Sequence, residues 1–283
     1  MEDNQCIGKE DVGFPFMHPS GHVKDILFGI TDQFTHYSEI RSYGYNCLYK
    51  AQRHGKWFFL KGLKLEYRDN YAYRLMLKKE FDILITLNCP NIVQVYDMEE
   101  NSFIGPCIVM EFIKGHTLAE IIQSKKRLHF PSKTLWQLLS ALEQLSDRQI
   151  IHRDIKPENI IITEKGGNVK IVDFGLADSD NYAYYKYVVG TNPYIAPELL
   201  LKDTPSDCRS DLYSLGMLLK ELSIKPYIRW KCLRPDPNAR FSCPSAVKRF
   251  LMREYAAILV ALIILLHCLL SLIALFFSSL LLF

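Results

Sequence analysis

The run His152-Arg153-Asp154-Ile155-Lys156-Pro157-Glu158-Asn159, followed by Asp173-Phe174-Gly175, constrains this chain more than any other stretch. It puts a carboxylate, a lysine and an amide on one short loop, then a second carboxylate fourteen residues after the amide. Such a set suits phosphoryl transfer. That reaction needs a group to orient a hydroxyl, a cation beside the moving phosphate, and hard oxygen ligands for Mg²⁺. A lone Asp-Phe-Gly would carry little; the whole loop with the second carboxylate correctly spaced is specific.

Loop and triplet resemble the H-R-D-x-K-x-x-x-N and D-F-G patterns of the eukaryotic-type (Hanks-type) serine/threonine protein kinases. The resemblance implies an α+β, two-lobed fold, with a small β-rich N-lobe and a mostly helical C-lobe. The expected organisation is a lead-in at 1–33, a kinase domain at 34–253 and a transmembrane helix at 255–283. Within the domain, the N-lobe is expected at 34–110, the hinge at 111–115 and the C-lobe at 116–253. The family implies ATP as phosphate donor and Mg²⁺ as its metal. By the same resemblance Asp154 accepts or orients the substrate hydroxyl proton, Lys156 steadies the γ-phosphate, and Asn159 and Asp173 hold the metal. Phe174 and Gly175 complete the triplet. Lys156 at this position is similar to the serine/threonine branch.

In the N-terminal part, Asn46–Ala51 and Trp57–Leu63 read as paired strands around Arg53-His54-Gly55-Lys56. Lys61, in W-F-F-L-K, resembles the family's strand lysine, which contacts the α- and β-phosphates. Nineteen residues later, Glu80 lies on a segment with Leu77, Phe81 and Leu84 at helical spacing. The resemblance implies that it pairs with Lys61; Asp82 is the rival. The phosphate-covering loop departs from the pattern. Where the family has three glycines, this chain has Arg41, Tyr43 and Asn46, with Gly44 off-register. A Cβ hinders close approach of backbone N–H groups to phosphate oxygens. Arg41 can offer charge instead, and asparagine tolerates left-handed backbone angles, so weakened or unusual ATP contacts are expected. Ile108–Ile113 resembles the strand entering the hinge. There Met110 borders the adenine pocket, and backbone groups of Glu111 and Ile113 meet the base.

In the C-terminal part, Leu135, Leu138, Leu139, Leu142 and Leu145 form an apolar helix face that belongs to the core. Ile160–Ile162 and Val169–Val172 read as strands around Lys165-Gly166-Gly167-Asn168. Gly190 to Glu198 resembles G-T-x-x-Y-x-A-P-E. This implies that Thr191 walls the target residue, that Glu198 pairs with Arg240, and that Asp211 holds the catalytic-loop backbone. Arg153 is the family's receiver of a phosphate from the segment holding Ser179, Tyr182, Tyr184, Tyr185 and Tyr187. Between Leu222 and Tyr227 there is no room for the family's usual extra helix, so the member is compact and minimal, as in some bacteria.

From Tyr255 to Phe283 there is no Lys, Arg, Asp or Glu. At about 1.5 Å per residue this exceeds a hydrocarbon core of about 30 Å. Lys248, Arg249 and Arg253 flank its start, which places the preceding domain in the cytoplasm. The chain stops inside or just past the span, as in a tail-anchored protein. His267 and Cys268 lie mid-span. The opening Met1-Glu2-Asp3 lacks a signal-peptide pattern. A formal net charge of +3 gives no case for nucleic acid. The eight cysteines form no C-x-x-C pair, which disfavours zinc and fits free thiols in a reducing compartment.

The sequence therefore reads as a membrane-tethered serine/threonine kinase acting on proteins, its own chain included, with tethering raising encounters between copies. The alternative is a tethered pseudokinase serving as a nucleotide-sensing or scaffold module, motivated by the missing glycines. A small-molecule kinase fits less well, because the Gly190–Glu198 segment is a protein-kinase feature.

Overall fold

Turn chemistry organises the N-lobe. The computed structural model describes residues 33–40, 44–124, 131–177, 193–201 and 206–280, with side chains to 274. Strands β1 (Thr35–Ile40), β2 (Asn46–Arg53) and β3 (Lys56–Leu63) form antiparallel pairs. The β2–β3 connection is a two-residue turn with both φ values positive, 51° at His54 and 75° at Gly55. That turn matches the twist of the flanking strands. Strands β4 (Val95–Asn101) and β5 (Gly105–Glu111) complete a five-stranded sheet in the order β1-β2-β3-β5-β4.

Period-2 alternation splits this sheet's side chains between two cores. Leu60, Cys107 and Val109 join Phe34, Cys47, Ala51 and Ile104 in a small outer cluster. Leu63, Ile108 and Met110 face the main core, on the same side as the buried Lys61. Fully burying a leucine such as Leu60 contributes about 2 kcal/mol. Helix α1 (Tyr71–Leu84) covers that inner face, burying Leu77, Glu80, Ile83 and Leu84. Asn70 caps it, its side chain accepting from the Ala72 N–H at 3.0 Å.

The chain crosses to the C-lobe through β6 (Gly115–Thr117), which joins β7 (Ile160–Thr163) and β8 (Val169–Ile171) in a second sheet. Gly115 is required there, since a Cβ would fall 2.3 Å from the Ile162 carbonyl oxygen. Helix α2 (Leu118–Gln123) follows, opened by a capping box between Thr117 and Glu120. Helix α3 (Pro131–Asp147) buries Leu135, Leu138, Leu139, Leu142 and Leu145, and α4 (Cys208–Glu221) packs beside it. After a short connection with Ser223 and Lys225 at φ 55° and 46°, α5 (Pro226–Cys232) folds back on α4.

The last helix begins before the uncharged run. α6 runs unbroken from Pro244 to Leu280, so the domain boundary expected between 253 and 255 is not a break in the backbone. Proline at N1 starts the helix and no later Gly or Pro interrupts it. Val247 and Leu251, one turn apart, are buried; from Tyr255 every described side chain is exposed. It is the one helix among the described residues long and apolar enough to cross a membrane.

Candidate active site

Strand β3 delivers Lys61 to the cleft face of the sheet, where it meets two carboxylates. Its Nζ lies 2.7 Å from Glu80 Oε1 on α1 and 2.8 Å from Asp173 Oδ1. Asp82 is not the partner; it pairs with Lys78 one turn away. Burial opposes the Lys61 charge, but Asp173 and Glu80 outweigh it and raise the ammonium pKa. The Lys61 charge holds Asp173 down at about 2. Burial first, then the Asp173 charge, pushes Glu80 upward despite Lys61. One ammonium thus serves two unequal carboxylates, a dry one and one whose side chain is 48% exposed to the cleft.

Asp173 adopts φ 63°, a left-handed angle uncommon outside glycine. Gly175 donates its N–H to Asp173 Oδ1 at 3.3 Å, and a Cβ on Gly175 would sit 3.3 Å from that same oxygen. Phe174 is buried and edge-on to the His152 ring, with centroids 4.4 Å apart. Its N–H donates to Glu80 Oε1 at 3.2 Å. The triplet therefore ties α1 to the catalytic loop.

The loop itself is held from beneath. Asp211, near the start of α4, accepts the N–H groups of His152 at 2.8 Å and Arg153 at 2.9 Å. Arg153 takes φ 64°, and its guanidinium donates to Ser206 Oγ at 3.0 Å. Asp154 Oδ2 accepts from Lys156 Nζ at 2.7 Å and from Asn159 Nδ2 at 2.7 Å. Burial raises the Asp154 pKa, with Lys156 pulling against it. Asn159 Nδ2 also donates to the Asp154 carbonyl at 2.9 Å, and Val172 N–H donates to the Asn159 carbonyl at 2.9 Å. That last bond joins the loop to the residue preceding Asp173.

Glu198 and Arg240 form a bidentate pair, Nη1–Oε1 at 2.7 Å and Nη2–Oε2 at 2.8 Å, both side chains nearly inaccessible. Arg240 also donates to the carbonyls of Arg234, Arg209 and Pro235. These five bonds match the five N–H donors of a guanidinium. For Glu198, burial pushes the pKa up but the Arg240 and Ser210 hydrogen bonds prevail and leave it low.

Met110 is buried at the end of β5, and Glu111 donates its N–H to the Gln94 carbonyl at 2.9 Å. Ile113 packs partly against the main core. Asn46 requires a correction: it is extended at the head of β2, opposite Leu63, and Gly44 takes the left-handed angle at φ 80°. Ladder pairing with β3 overrides the tolerance that asparagine has for left-handed angles. Arg41, Tyr43, Thr191 and the segment from Ser179 to Tyr187 lie outside the described residues.

Tyr45, which no sequence motif marks, also belongs to the site. Its ring packs on Tyr73 of α1 at 4.8 Å, and Tyr73 packs on Tyr67 at 4.7 Å. Burial raises the Tyr45 pKa, and Lys61, Glu80 and Asp173 all act on its hydroxyl. Its partner lies in a distant helix, so no local pattern announces it. Also missed was a groove of about 470 Å³ beside the catalytic loop, lined by Ile122, Pro157, Glu158, Tyr194, Met217 and Glu221 among others.

A family model described as protein kinase domain matches residues 42–231. The chain belongs to the protein kinase family. It is 38% identical over 186 residues to a probable serine/threonine-protein kinase of Clostridium perfringens, covering 63% of this chain and 27% of that protein. It is 36% identical over 169 residues to the serine/threonine-protein kinase PrkC of Bacillus subtilis, covering 58% and 26%. A probable serine/threonine-protein kinase of Dictyostelium discoideum is 32% identical over 217 residues, covering 70% and 32%. The chain thus spans about a quarter to a third of the length of these curated relatives. The family implies ATP as substrate and Mg²⁺ as cofactor.

Proposed function

We propose that this chain is a serine/threonine protein kinase held at a membrane by α6, with its catalytic lobes in the cytoplasm. Mg-ATP is the donor, and the acceptor is a Ser or Thr hydroxyl on a protein, its own chain included. The observation that carries this reading is the convergence of Lys61, Glu80 and Asp173 beside Asp154, Lys156 and Asn159.

The donor set fits a hard divalent cation. Asn159 spends its amide hydrogens on Asp154, which leaves its Oδ1 as a ligand. Asp173 engages Lys61 and Gly175 through Oδ1, which leaves Oδ2. Two such oxygens plus phosphate oxygens and water are what Mg²⁺ takes. Bound there, the ion would neutralise charge on the phosphate oxygens. Lys61, kept cationic by its two carboxylates, holds the α- and β-phosphates. Asp154 Oδ1 accepts no hydrogen bond among the described residues, so it can receive the acceptor hydroxyl, while Lys156 stands ready for the γ-phosphate. The groove bearing Glu158 and Tyr194 gives an acceptor chain room beside Asp154.

The names of the relatives, all serine/threonine kinases, and Lys156 at its loop position support the acceptor class. The tether rests on the length, composition and exposure of α6. The scaffold alternative draws no support from these relatives. The test is transfer of radiolabelled γ-phosphate by the full chain in lipid nanodiscs, followed by phosphoamino acid analysis. Label is expected on Ser and Thr. Asp154→Asn is expected to lower the rate by about 10²–10⁴-fold, the usual worth of a positioned acid–base group. Equal labelling by both proteins would reject the assignment.

A further inference from the structure

The base of the C-lobe presents aromatic rings and positive charge where α6 leaves the domain. Tyr227, near the start of α5, stacks on Phe250 of α6 with centroids 4.9 Å apart and an interplanar angle of 23°. Lys225 donates to Glu254 at 2.7 Å and sits over the Tyr255 ring at 5.0 Å. The N-terminus of α5 is therefore level with the point where the uncharged run begins. Trp230 follows one turn later, 6.0 Å from Tyr227, with the Arg234 guanidinium over its ring at 4.7 Å. Tyr227 is 50% exposed and Trp230 54%. Large rings left open on a seven-residue helix do not serve the core of this domain.

The charges there are one-sided. Arg229, Lys231, Arg234, Arg249 and Arg253 form no ion pair with a carboxylate among the described residues. The nearby acid Glu254 is taken by Lys225. Trp and Tyr favour the headgroup level of a bilayer, because one side of each ring is apolar and the other polar. Basic clusters beside a span are drawn to anionic lipid within a Debye length.

We infer that the face made by α5 and the first turns of α6 rests on an anionic phospholipid surface, with Tyr227 and Trp230 in the headgroup layer. The α6 helix then does more than tether: this contact fixes the tilt of the domain and the direction in which the cleft opens. The inference depends on the membrane tether proposed above. Its occupant is lipid rather than a second copy of the chain because the face is continuous with the exposed apolar stretch of α6. Five of its cations, Arg229, Lys231, Arg234, Arg249 and Arg253, also form no ion pair with a carboxylate among the described residues.

The full chain carries three tryptophans. Replacing Trp57 and Trp136 by Phe leaves Trp230 as sole reporter in vesicles of phosphatidylcholine with or without phosphatidylglycerol, some carrying lipids brominated near the headgroup. Trp230 emission is expected to be quenched by the brominated lipid, more strongly with phosphatidylglycerol. That excess should vanish at high salt and in an Arg229→Glu, Arg234→Glu variant. A chain that resists alkaline carbonate extraction but shows unquenched Trp230 would overturn the inference and leave the tether standing. Emission that shifts only with protein-to-lipid ratio, without quenching, would assign the face to a second copy and also overturn it. Extraction by carbonate would remove both the tether and the inference.

Discussion

Two residues carry their roles through charge placement alone. Arg240 donates all five of its N–H groups inside the C-lobe, two of them to Glu198. Removing one partner of a buried ion pair strands the other, at a cost of about 3–5 kcal/mol. Arg240→Ala is expected to destabilise the domain by about that amount in chemical denaturation. Arg240→Lys should be almost as damaging, because an ammonium cannot reproduce the planar fork. Asp154 makes a prediction about pH. Burial raises its pKa, and a base must be deprotonated to work, so acidification should silence it sooner than an ordinary aspartate. Asp173, held at about 2, stays charged over the same interval and adds no step there. The kcat/KM, which reports the free enzyme, should therefore fall on the acid side at a pH above the usual aspartate range. A profile flat down to that range would contradict this placement. Lys61, Glu80 and Asp154 were legible in the sequence because the stretches that hold them resemble the family's motifs. Tyr45 was not, because its packing partner Tyr73 is brought to it only by the docking of α1 on the sheet.

Elements transmit these positions. The β1–β2 connection lacks most of its family's glycines, and Tyr45, just ahead of β2, packs its ring on Tyr73 of α1. The same α1 carries Glu80, so the loop and the Lys61 partner are coupled through one helix. Tyr45→Ala should loosen the loop and change the apparent KM for ATP by several-fold more than it changes kcat; Tyr45→Phe should stay near wild type, since the ring stack survives. A Tyr45→Ala enzyme with unchanged KM would show that the stack does not govern the nucleotide. Hairpins were readable from their turn residues, as at His54-Gly55, where positive φ is needed. The origin of α6 was not. Val247 and Leu251 announce a buried helix face, but Lys248, Arg249 and Arg253 between and around them read as a flank to the span.

At the scale of the whole molecule, two cores and one continuous helix set the geometry. The inner face of the N-lobe sheet, α1 and the Phe174–His152 contact form a single packed path from Lys61 to the catalytic loop. The α6 helix joins that body to an exposed apolar stretch with no intervening linker. The two-lobed plan was legible because the family's motifs fall in order along the chain. The orientation of the body on α6 was not legible, since it depends on which side chains of α5 meet α6. In the proposed kinase, Asp173 and the loop carrying Asp154 and Asn159 converge on a single metal-bound triphosphate. Calorimetric titration of ATP into the full chain at increasing Mg²⁺, beside Asp173→Asn, tests this convergence most directly. ATP affinity is expected to rise with Mg²⁺ in the wild type and to lose most of that dependence in Asp173→Asn. An affinity indifferent to Mg²⁺, or the same dependence in both proteins, would contradict it.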